Sequence, residues 1–125
     1  MTYKNVTTIG AVLSFIFALG FIFIPAQFTG YYNVTLNEGG VFIAQLFGAA
    51  LLGFAALNWS GRDLSDKQAQ QAVENANIAG DTVGFIFALI AQLNGVGGIN
   101  ALGWSTVLVY LLLALGFAYL RFVAK

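Results

Sequence analysis

Residues 101–123 read ALGWSTVLVYLLLALGFAYLRFV, and Arg121 is their only charged member. Twenty residues of helix span about 30 Å, which is the thickness of the hydrocarbon core of a bilayer. A helix that is apolar on all faces must be buried in a large protein core or in lipid. Because a chain of 125 residues has no such core to offer, the stretch predicts a membrane-spanning helix over residues 101–122.

Three further apolar blocks come before this one, and they predict spans at residues 8–28, 41–59 and 78–95. The third block is the weakest, because it is strongly apolar only over residues 82–93. The first block has a signal peptide as its rival interpretation, but it is longer than the usual about 7–15 apolar residues and only Lys4 precedes it. We therefore expect one all-α membrane domain over residues 1–125, a bundle of four transmembrane helices with a polar loop at 60–77.

The composition also indicates that lipid surrounds this chain. Of the residues, 59% are hydrophobic and 8% are charged, against roughly 25% charged in an ordinary soluble domain. So few charged side chains cannot cover a small soluble fold, whose surface is large relative to its volume. The formal net charge of zero argues against a nucleic-acid partner, which would need a clustered basic surface.

The basic residues predict the orientation of the helices. They fall in the N-terminal segment, the 60–77 loop and the C-terminal segment, whereas the two other connections contain no lysine or arginine. Cytoplasmic loops carry such an excess of positive charge, so we expect both termini and the long loop inside the cell. Three spans would instead divide these residues between the two sides of the membrane. The residues are Lys4, Arg62, Lys67, Arg121 and Lys125.

Catalysis by the usual groups is not expected. The chain contains no cysteine and no histidine, which excludes disulfides, thiolate chemistry, histidine bases and the common zinc sites. The lysines, Lys4, Lys67 and Lys125, lie outside the predicted spans, so none is available as a buried Schiff-base lysine. We therefore predict a protein that is not an enzyme and has no catalytic residue, metal site or cofactor.

Two short segments recur along the chain. The letters FIFAL occur at residues 15–19 and 85–89, and LGFA occurs at residues 52–55 and 115–118. Duplication of one helical hairpin would produce this pattern, and the two copies would form a parallel repeat about an axis normal to the membrane. Chance is the alternative, because these residue types are abundant in apolar segments.

Small residues are spaced for close packing of helices. On the third helix they recur every four residues, and a shorter set at Ala49, Gly53 and Ala56 lies on the second helix. Helices in lipid associate by close packing, so small residues mark contact faces. The alternatives are contacts inside one four-helix bundle and contacts with another subunit. The set on the third helix is Ala72, Ala76, Gly80, Gly84 and Ala88.

Asp81 is the one carboxylate that falls inside a predicted span. It shares a helix face with Glu74 and Asn77. If Gly80 breaks the chain, Asp81 caps a helix that begins at Thr82. If the helix continues, Asp81 is a buried functional acid that needs a partner or a wet cavity. The cap is the simpler interpretation, and we expect it.

Gln45 and Gln92 lie near the outer ends of the second and third predicted helices, at comparable depth. Such residues can hydrogen-bond across a bundle, an interaction worth about 1 kcal/mol in model systems. The alternative is that they line an outer vestibule. We expect the structural role for both.

Several stretches carry a resemblance to known proteins: QLFGAALLG at residues 45–53, NWSGR at 58–62, and the fourth block, which opens NALGW at 100–104 and closes GFAY at 116–119. Together they resemble a widespread group of small, uncharacterised four-span bacterial membrane proteins. The resemblance covers most of the chain. It implies a four-helix fold in the bacterial inner membrane, and it implies no activity, so no functional residue is carried over.

These patterns leave three hypotheses for function. The first is a non-enzymatic structural or accessory subunit that lies in the lipid bilayer and packs against copies of itself or a larger membrane complex. The second is a small homo-oligomeric channel or transporter with Asp81 lining the path. The third is a site for a lipophilic ligand between phenylalanine-rich helices. A water-accessible Asp81 favours the second, whereas an apolar cavity with Asp81 as a cap favours the first or the third.

Overall fold

The computed structural model describes residues 1–124, which form five α-helices and one 3₁₀ turn and, within that range, no β-strand. The helices are α1 (Tyr3–Phe23), α2 (Pro25–Gly30), α3 (Glu38–Gly61), α4 (Lys67–Leu93) and α5 (Gly103–Phe122). All except α2 are long and apolar enough to cross a membrane. The prediction of an all-helical chain with four candidate spans is therefore confirmed.

The four long helices pack as two antiparallel pairs. α1 contacts mainly α3, and α4 contacts mainly α5, whereas the two pairs touch each other much less. The hydroxyl of Tyr3 donates to the carbonyl of Gly61 at 3.0 Å, and Arg121 donates to Asn75 at 3.2 Å. Both termini and the α3–α4 connection therefore lie at one end of the bundle, the termini end. The opposite end, which holds α2 and the α4–α5 connection, is the loop end.

The first span has the length of the predicted 8–28 segment but begins and ends five residues earlier, and a second, short helix follows it. α1 ends at Phe23, and Pro25 occupies the first position of α2, where its missing N–H costs nothing. The chain folds back between the two helices. The ring of Phe28 consequently lies 2.5 Å from where a Cβ on Gly20 would stand. A larger residue at Gly20 would hold α2 away from α1.

The helix of the third predicted span begins well before residue 78, so the prediction of a loop over 60–77 is wrong for residues 67–77. α4 starts at Lys67, and the side chain of Asp66 accepts a hydrogen bond from the Ala69 N–H at 2.8 Å. The segment is polar, but glutamine, glutamate and alanine are good helix formers. With 27 residues, α4 is about 40 Å long and exceeds a hydrocarbon core of about 30 Å.

The α4–α5 connection is a glycine-rich turn. Three glycines adopt φ values of 61°, 65° and 78°, in the left-handed region that glycine tolerates best. The Asn100 N–H donates to the Tyr32 carbonyl at 2.9 Å, and the Asn33 side chain donates to a carbonyl of the turn at 2.9 Å. These bonds join the two helix pairs at the loop end. The glycines are Gly95, Gly97 and Gly98.

Most large apolar side chains of the long helices point away from the bundle and are exposed. The buried apolar cluster is small and consists of Val6, Phe117 and Leu120. Lipid is as apolar as these side chains, so helices in a membrane gain little by hiding them from it. The bundle is therefore held by close contacts and hydrogen bonds at particular places.

Two of the predicted small residues of α4 lie at helix contacts. Gly84 faces α5, and a Cβ there would overlap the ring of Tyr110. Gly80 faces α3, where a Cβ would lie 3.3 Å from the ring of Phe54. Ala88 is half-buried. Small residues thus let α4 approach both of its neighbours closely.

On α3 the small residues that were predicted to form a contact face do not pack within the bundle. Ala49 and Gly53 are exposed, and a Cβ on Gly53 would meet nothing within 4 Å in the described residues. α3 instead buries Ala44 and Gly48, and a Cβ on Gly48 would lie 3.1 Å from the carbonyl oxygen of Ala18 on α1. Small residues occur on both faces of α3, so their spacing does not identify the face that meets α1.

The recurring segments occupy different surroundings. Gly116 of the second LGFA segment is buried, and a Cβ there would lie 3.3 Å from Val6. Its counterpart Gly53 is exposed. Phe17 of the first FIFAL segment lines the space between helices, whereas Phe87 of the second is exposed. At these two pairs of positions, the repeated residues therefore do not pack in the same way.

We predict that Gly84→Leu destabilises the protein by about 1–3 kcal/mol, because the new side chain would overfill the contact with Tyr110. Gly53→Leu is the matched control, since its side chain extends outward from an exposed position. It should leave stability unchanged or raise it by up to about 1 kcal/mol, the gain in helix propensity. Unfolding followed by circular dichroism measures both variants. Equal stabilities would contradict the close packing of α4 on α5.

Candidate functional site

Asp81 lies in the middle of α4, about 21 Å along the helix from Lys67. The capping interpretation is wrong, because the helix is continuous through this position and its N-cap is Asp66. The Asp81 side chain is half-buried, and its Oδ2 atom is buried with no hydrogen-bond partner within residues 1–124. The position fits the alternative interpretation, that of a buried acid.

A cavity of about 240 Å³ separates the two helix pairs, and Asp81 lines it. All four long helices contribute to the wall, and most of the contributing side chains are apolar. Asp81 is the only charged residue among the described residues of the wall. Aromatic rings form a large part of this surface, and they include those of Phe17, Phe21, Phe47 and Tyr110.

A pair of buried asparagines lies between Asp81 and the termini end of the bundle. The Asn58 amide donates to the Asn77 side-chain oxygen at 2.9 Å, and the Asn77 amide donates back at 2.7 Å. The two residues are 0% and 3% exposed, and the neighbouring ring of Phe117 is also fully buried. A Cβ on Gly10 would lie 3.3 Å from the Asn58 amide nitrogen, so α1 also approaches here. Asp81 follows Asn77 by one helical turn and therefore lies one turn nearer to the loop end than the asparagine pair.

α2 and the two connections at the loop end cover the opposite side of the cavity. Thr29 of α2 and Ile99 line it there, and the hydrogen bond between Asn100 and Tyr32 holds the connections together. The Thr29 hydroxyl donates to the Pro25 carbonyl at 3.1 Å, so its donor is satisfied within α2. The cavity is only partly enclosed, and the two helix pairs touch little. It therefore remains open on part of its surface, in the space between the pairs.

Hydroxyl groups add some polarity to the wall. Tyr110 of α5 lines the cavity, and its ring rests on Gly84, which follows Asp81 by about one turn. Ser14 of α1 and Thr106 of α5 also line the cavity. The site thus combines one carboxylate and a few hydroxyls with an otherwise apolar surface.

The basic side chains of the described residues lie at the termini end, away from the cavity. Lys4 forms an ion pair with Asp63 at 2.8 Å, and this hydrogen-bonded partner holds the pKa of the Asp63 carboxyl below its usual value. The guanidinium of Arg62 stacks on a neighbouring indole ring at 3.8 Å. Arg121 hydrogen-bonds to α4, and Lys67 is the first residue of that helix.

Glu74 and Asp81 share a face of α4, as predicted, but they belong to different places. Glu74 is 5% exposed and lies at the termini end, where it lines a separate polar cavity with Tyr3, Lys67 and Gln70. About 10 Å of helix separates it from Asp81. The structure therefore does not bring the two acids into one site.

Gln45 and Gln92 do not hydrogen-bond to each other, but both bond to backbone carbonyls, and the bond of Gln45 joins α3 to α1. Gln45 donates to the Ile22 carbonyl at the end of α1, at 3.2 Å. Gln92 donates to the Asn100 carbonyl in the α4–α5 connection, at 3.0 Å. Each side chain thus donates to a backbone carbonyl near a helix end, which is a structural role, and the Asn100 carbonyl also accepts from the Gly103 N–H.

The sequence pattern does not indicate that Asn58 and Asn77 pair or that Tyr110 belongs to the site. A signal exists for Asn77, because it lies on the same helix face as Asp81. Tyr110 looks like any other aromatic residue of an apolar span. No cluster of three or more His, Cys, Asp or Glu side chains suited to a metal occurs within residues 1–124.

Comparison of the chain with family models, curated proteins and solved structures finds no match. No matching family model therefore supports the resemblance of residues 45–53 and 100–104 to small bacterial membrane proteins. Function has to follow from the chemistry of the cavity.

We predict that Asn58→Leu and Asn77→Leu each destabilise the protein by about 1–3 kcal/mol, because each leaves a buried amide without its partner. The double variant removes both amides. Its loss should be smaller than the sum of the single losses by about 0.5–3 kcal/mol. The free energies of unfolding of the wild type and the three variants complete this double-mutant cycle. Strictly additive losses would show that the two side chains do not interact.

Proposed function

We propose that this protein binds a lipophilic molecule inside the membrane, in the cavity between its two helix pairs. The observation that carries the proposal is the wall of that cavity, which is largely apolar and comes from all four long helices. Small-molecule sites have this composition, with an apolar wall and a few polar groups that fix orientation. We propose binding without chemical conversion, since the chain has neither cysteine nor histidine.

A purely structural role is less favoured, because it gives no reason for the cavity. Protein interiors are close-packed, and an unfilled space costs stability roughly in proportion to its volume. A bundle that acts only through helix packing would gain by carrying larger side chains in the wall. Ala88 and Ala91 of α4 are small residues of that wall, and they help to keep the space open.

A continuous channel is also less favoured. The paired side chains of Asn58 and Asn77 and the buried ring of Phe117 obstruct the termini end of the cavity. α2 covers the loop end, so a polar path would have to pass both barriers. The opening between the helix pairs instead faces lipid, where a lipophilic ligand is concentrated.

The location that we propose is the inner membrane of a bacterium, with the termini end in the cytoplasm. The basic residues that the structure describes lie at the termini end, which is the distribution expected of a cytoplasmic surface. Large apolar side chains cover the outer surface of the long helices. A second copy of the chain, or a larger membrane complex, is the partner that we propose for part of this surface.

We predict that Ala88→Trp blocks ligand binding, because the indole would fill the cavity. Ala49→Trp is the matched control, with the same substitution at an exposed position of α3. The protein in nanodiscs is irradiated with a diazirine-bearing alkylbenzene, and labelled residues are identified by mass spectrometry. Saturable labelling of the cavity wall should fall about tenfold or more in Ala88→Trp and persist in Ala49→Trp. Unsaturable labelling of the wild type, or labelling that survives Ala88→Trp, would refute the proposal.

We also predict the sidedness of two single-cysteine variants, which the absence of native cysteine makes simple to read. Thr35 lies between α2 and α3, and Ser65 lies between α3 and α4, and each is replaced by cysteine. A membrane-impermeant maleimide added to intact cells should label Thr35→Cys only, because the α3–α4 connection is cytoplasmic in our proposal. Permeabilised cells should show both labels. The reverse pattern in intact cells would invert the topology.

A further inference from the structure

The carboxylate of Asp81 faces the cavity without a counter-charge. Its Oδ2 atom is buried, and the described part of the chain offers it no hydrogen-bond partner. An unpaired charge inside a membrane is costly, and acids in such positions are normally paired or hydrated. The cavity places an unfilled space beside this charge, which a partner from outside the chain can occupy.

The basic side chains of residues 1–124 are not placed to supply that partner. Lys4 and Arg62 are paired with Asp63, and Arg121 hydrogen-bonds to α4 at the termini end. Lys67 begins α4, about 21 Å from the carboxylate by helical rise. A bound molecule is then the source of the counter-charge.

Aromatic rings make the same space suitable for an organic cation. Phe17, Phe21 and Phe47 line it, and the ring centroids of Phe21 and Phe47 are 5.0 Å apart. Tyr110 also lines it, and its ring packs on Gly84, about one helical turn beyond Asp81. The face of an aromatic ring attracts cations, and rings grouped around a cavity are a common means of binding quaternary ammonium groups.

We propose that the ligand is a lipophilic organic cation, whose charged group pairs with the Asp81 carboxylate and whose apolar part fills the space among the aromatic rings. The inference rests on the proposed function, because it names the ligand class of the same cavity. In surroundings of low dielectric constant the charge pair provides much of the discrimination between ligands.

Two other ligand classes satisfy the site less well. Hard inorganic cations such as Ca²⁺ or Mg²⁺ take about six or more oxygen ligands. The cavity supplies one carboxylate and the hydroxyls of Ser14, Thr106 and Tyr110, which are spread over different helices. A neutral lipophilic molecule would fill the space but leave the charge of Asp81 uncompensated.

The test compares two tritiated ligands of the same shape, the cation 4-phenyl-N,N,N-trimethylanilinium and its neutral isostere 4-tert-butylbiphenyl. Equilibrium binding is measured in nanodiscs of zwitterionic lipid, so that the lipid itself does not concentrate the cation. We expect saturable binding of the cation to the wild type. Asp81→Asn should weaken it by about 30-fold or more, as expected when one partner of a buried charge pair is removed. Binding of the isostere should change by less than about threefold.

Asp63→Asn is the matched control, because it removes the same charge from an exposed ion pair at the termini end. It should leave the affinities for both ligands unchanged. Circular dichroism and thermal unfolding establish that Asp81→Asn is folded. Since this change removes an unpaired buried charge, its unfolding temperature should not fall below that of the wild type.

The outcomes separate the inference from the function on which it rests. Equal cation binding by the wild type and Asp81→Asn, with saturable binding that Ala88→Trp abolishes, would overturn the inference and leave the proposed function standing. Saturable binding of the neutral isostere alone would do the same. If neither ligand binds saturably, the proposed function fails as well. Displacement of the cation by sodium at constant ionic strength would assign Asp81 to an inorganic ion and overturn the inference.

Discussion

The two halves of this bundle are joined by the reciprocal hydrogen bonds of Asn58 and Asn77. Within a membrane the hydrophobic effect does not press helices together, so their association depends on close contacts and on hydrogen bonds between them. α1 packs against α3, and α4 packs against α5, whereas the two pairs contact each other much less. Two amides that satisfy each other are also costly to separate, because apolar surroundings offer neither one a substitute. The relative position of the pairs, and of everything between them, depends on this junction.

The cavity follows from how the helix pairs are fastened. The amide pair fixes them near the termini end, and the bonds from Asn100 and Asn33 fix them at the loop end. Between these two levels no comparable junction occurs in the described residues, and the rings of the wall do not fill the gap. Asp81, one turn beyond Asn77, is held at the edge of this space by the same helix that forms the junction. The geometry of the binding site and the stability of the bundle therefore have one origin.

Hydropathy and length predicted the four spans because lipid imposes both on any helix that crosses it. They did not predict the start of α4, since residues 67–77 combine polarity with high helix propensity and resemble a loop in hydropathy alone. The spacing of small residues was informative at Gly84 and misleading at Gly53, because it does not specify which helix face meets a partner. The prediction of a cap at Asp81 was wrong for a related reason. The preceding glycine lies at a close helix contact and does not break the helix. The cavity lies between four helices, and no periodicity along one of them encodes it.

The length of α4 has a mechanical consequence. One uninterrupted helix carries Asp81 at the cavity and, several turns away, the polar segment that begins at Lys67. A helix behaves as a stiff rod over this distance, so a tilt or a shift imposed at its middle appears at its projecting end without any intermediate hinge. The position of the polar end of α4 therefore depends on the position of the helix at Asp81. If a ligand binds in the cavity as proposed, a tilt of α4 at Asp81 would also displace this polar end.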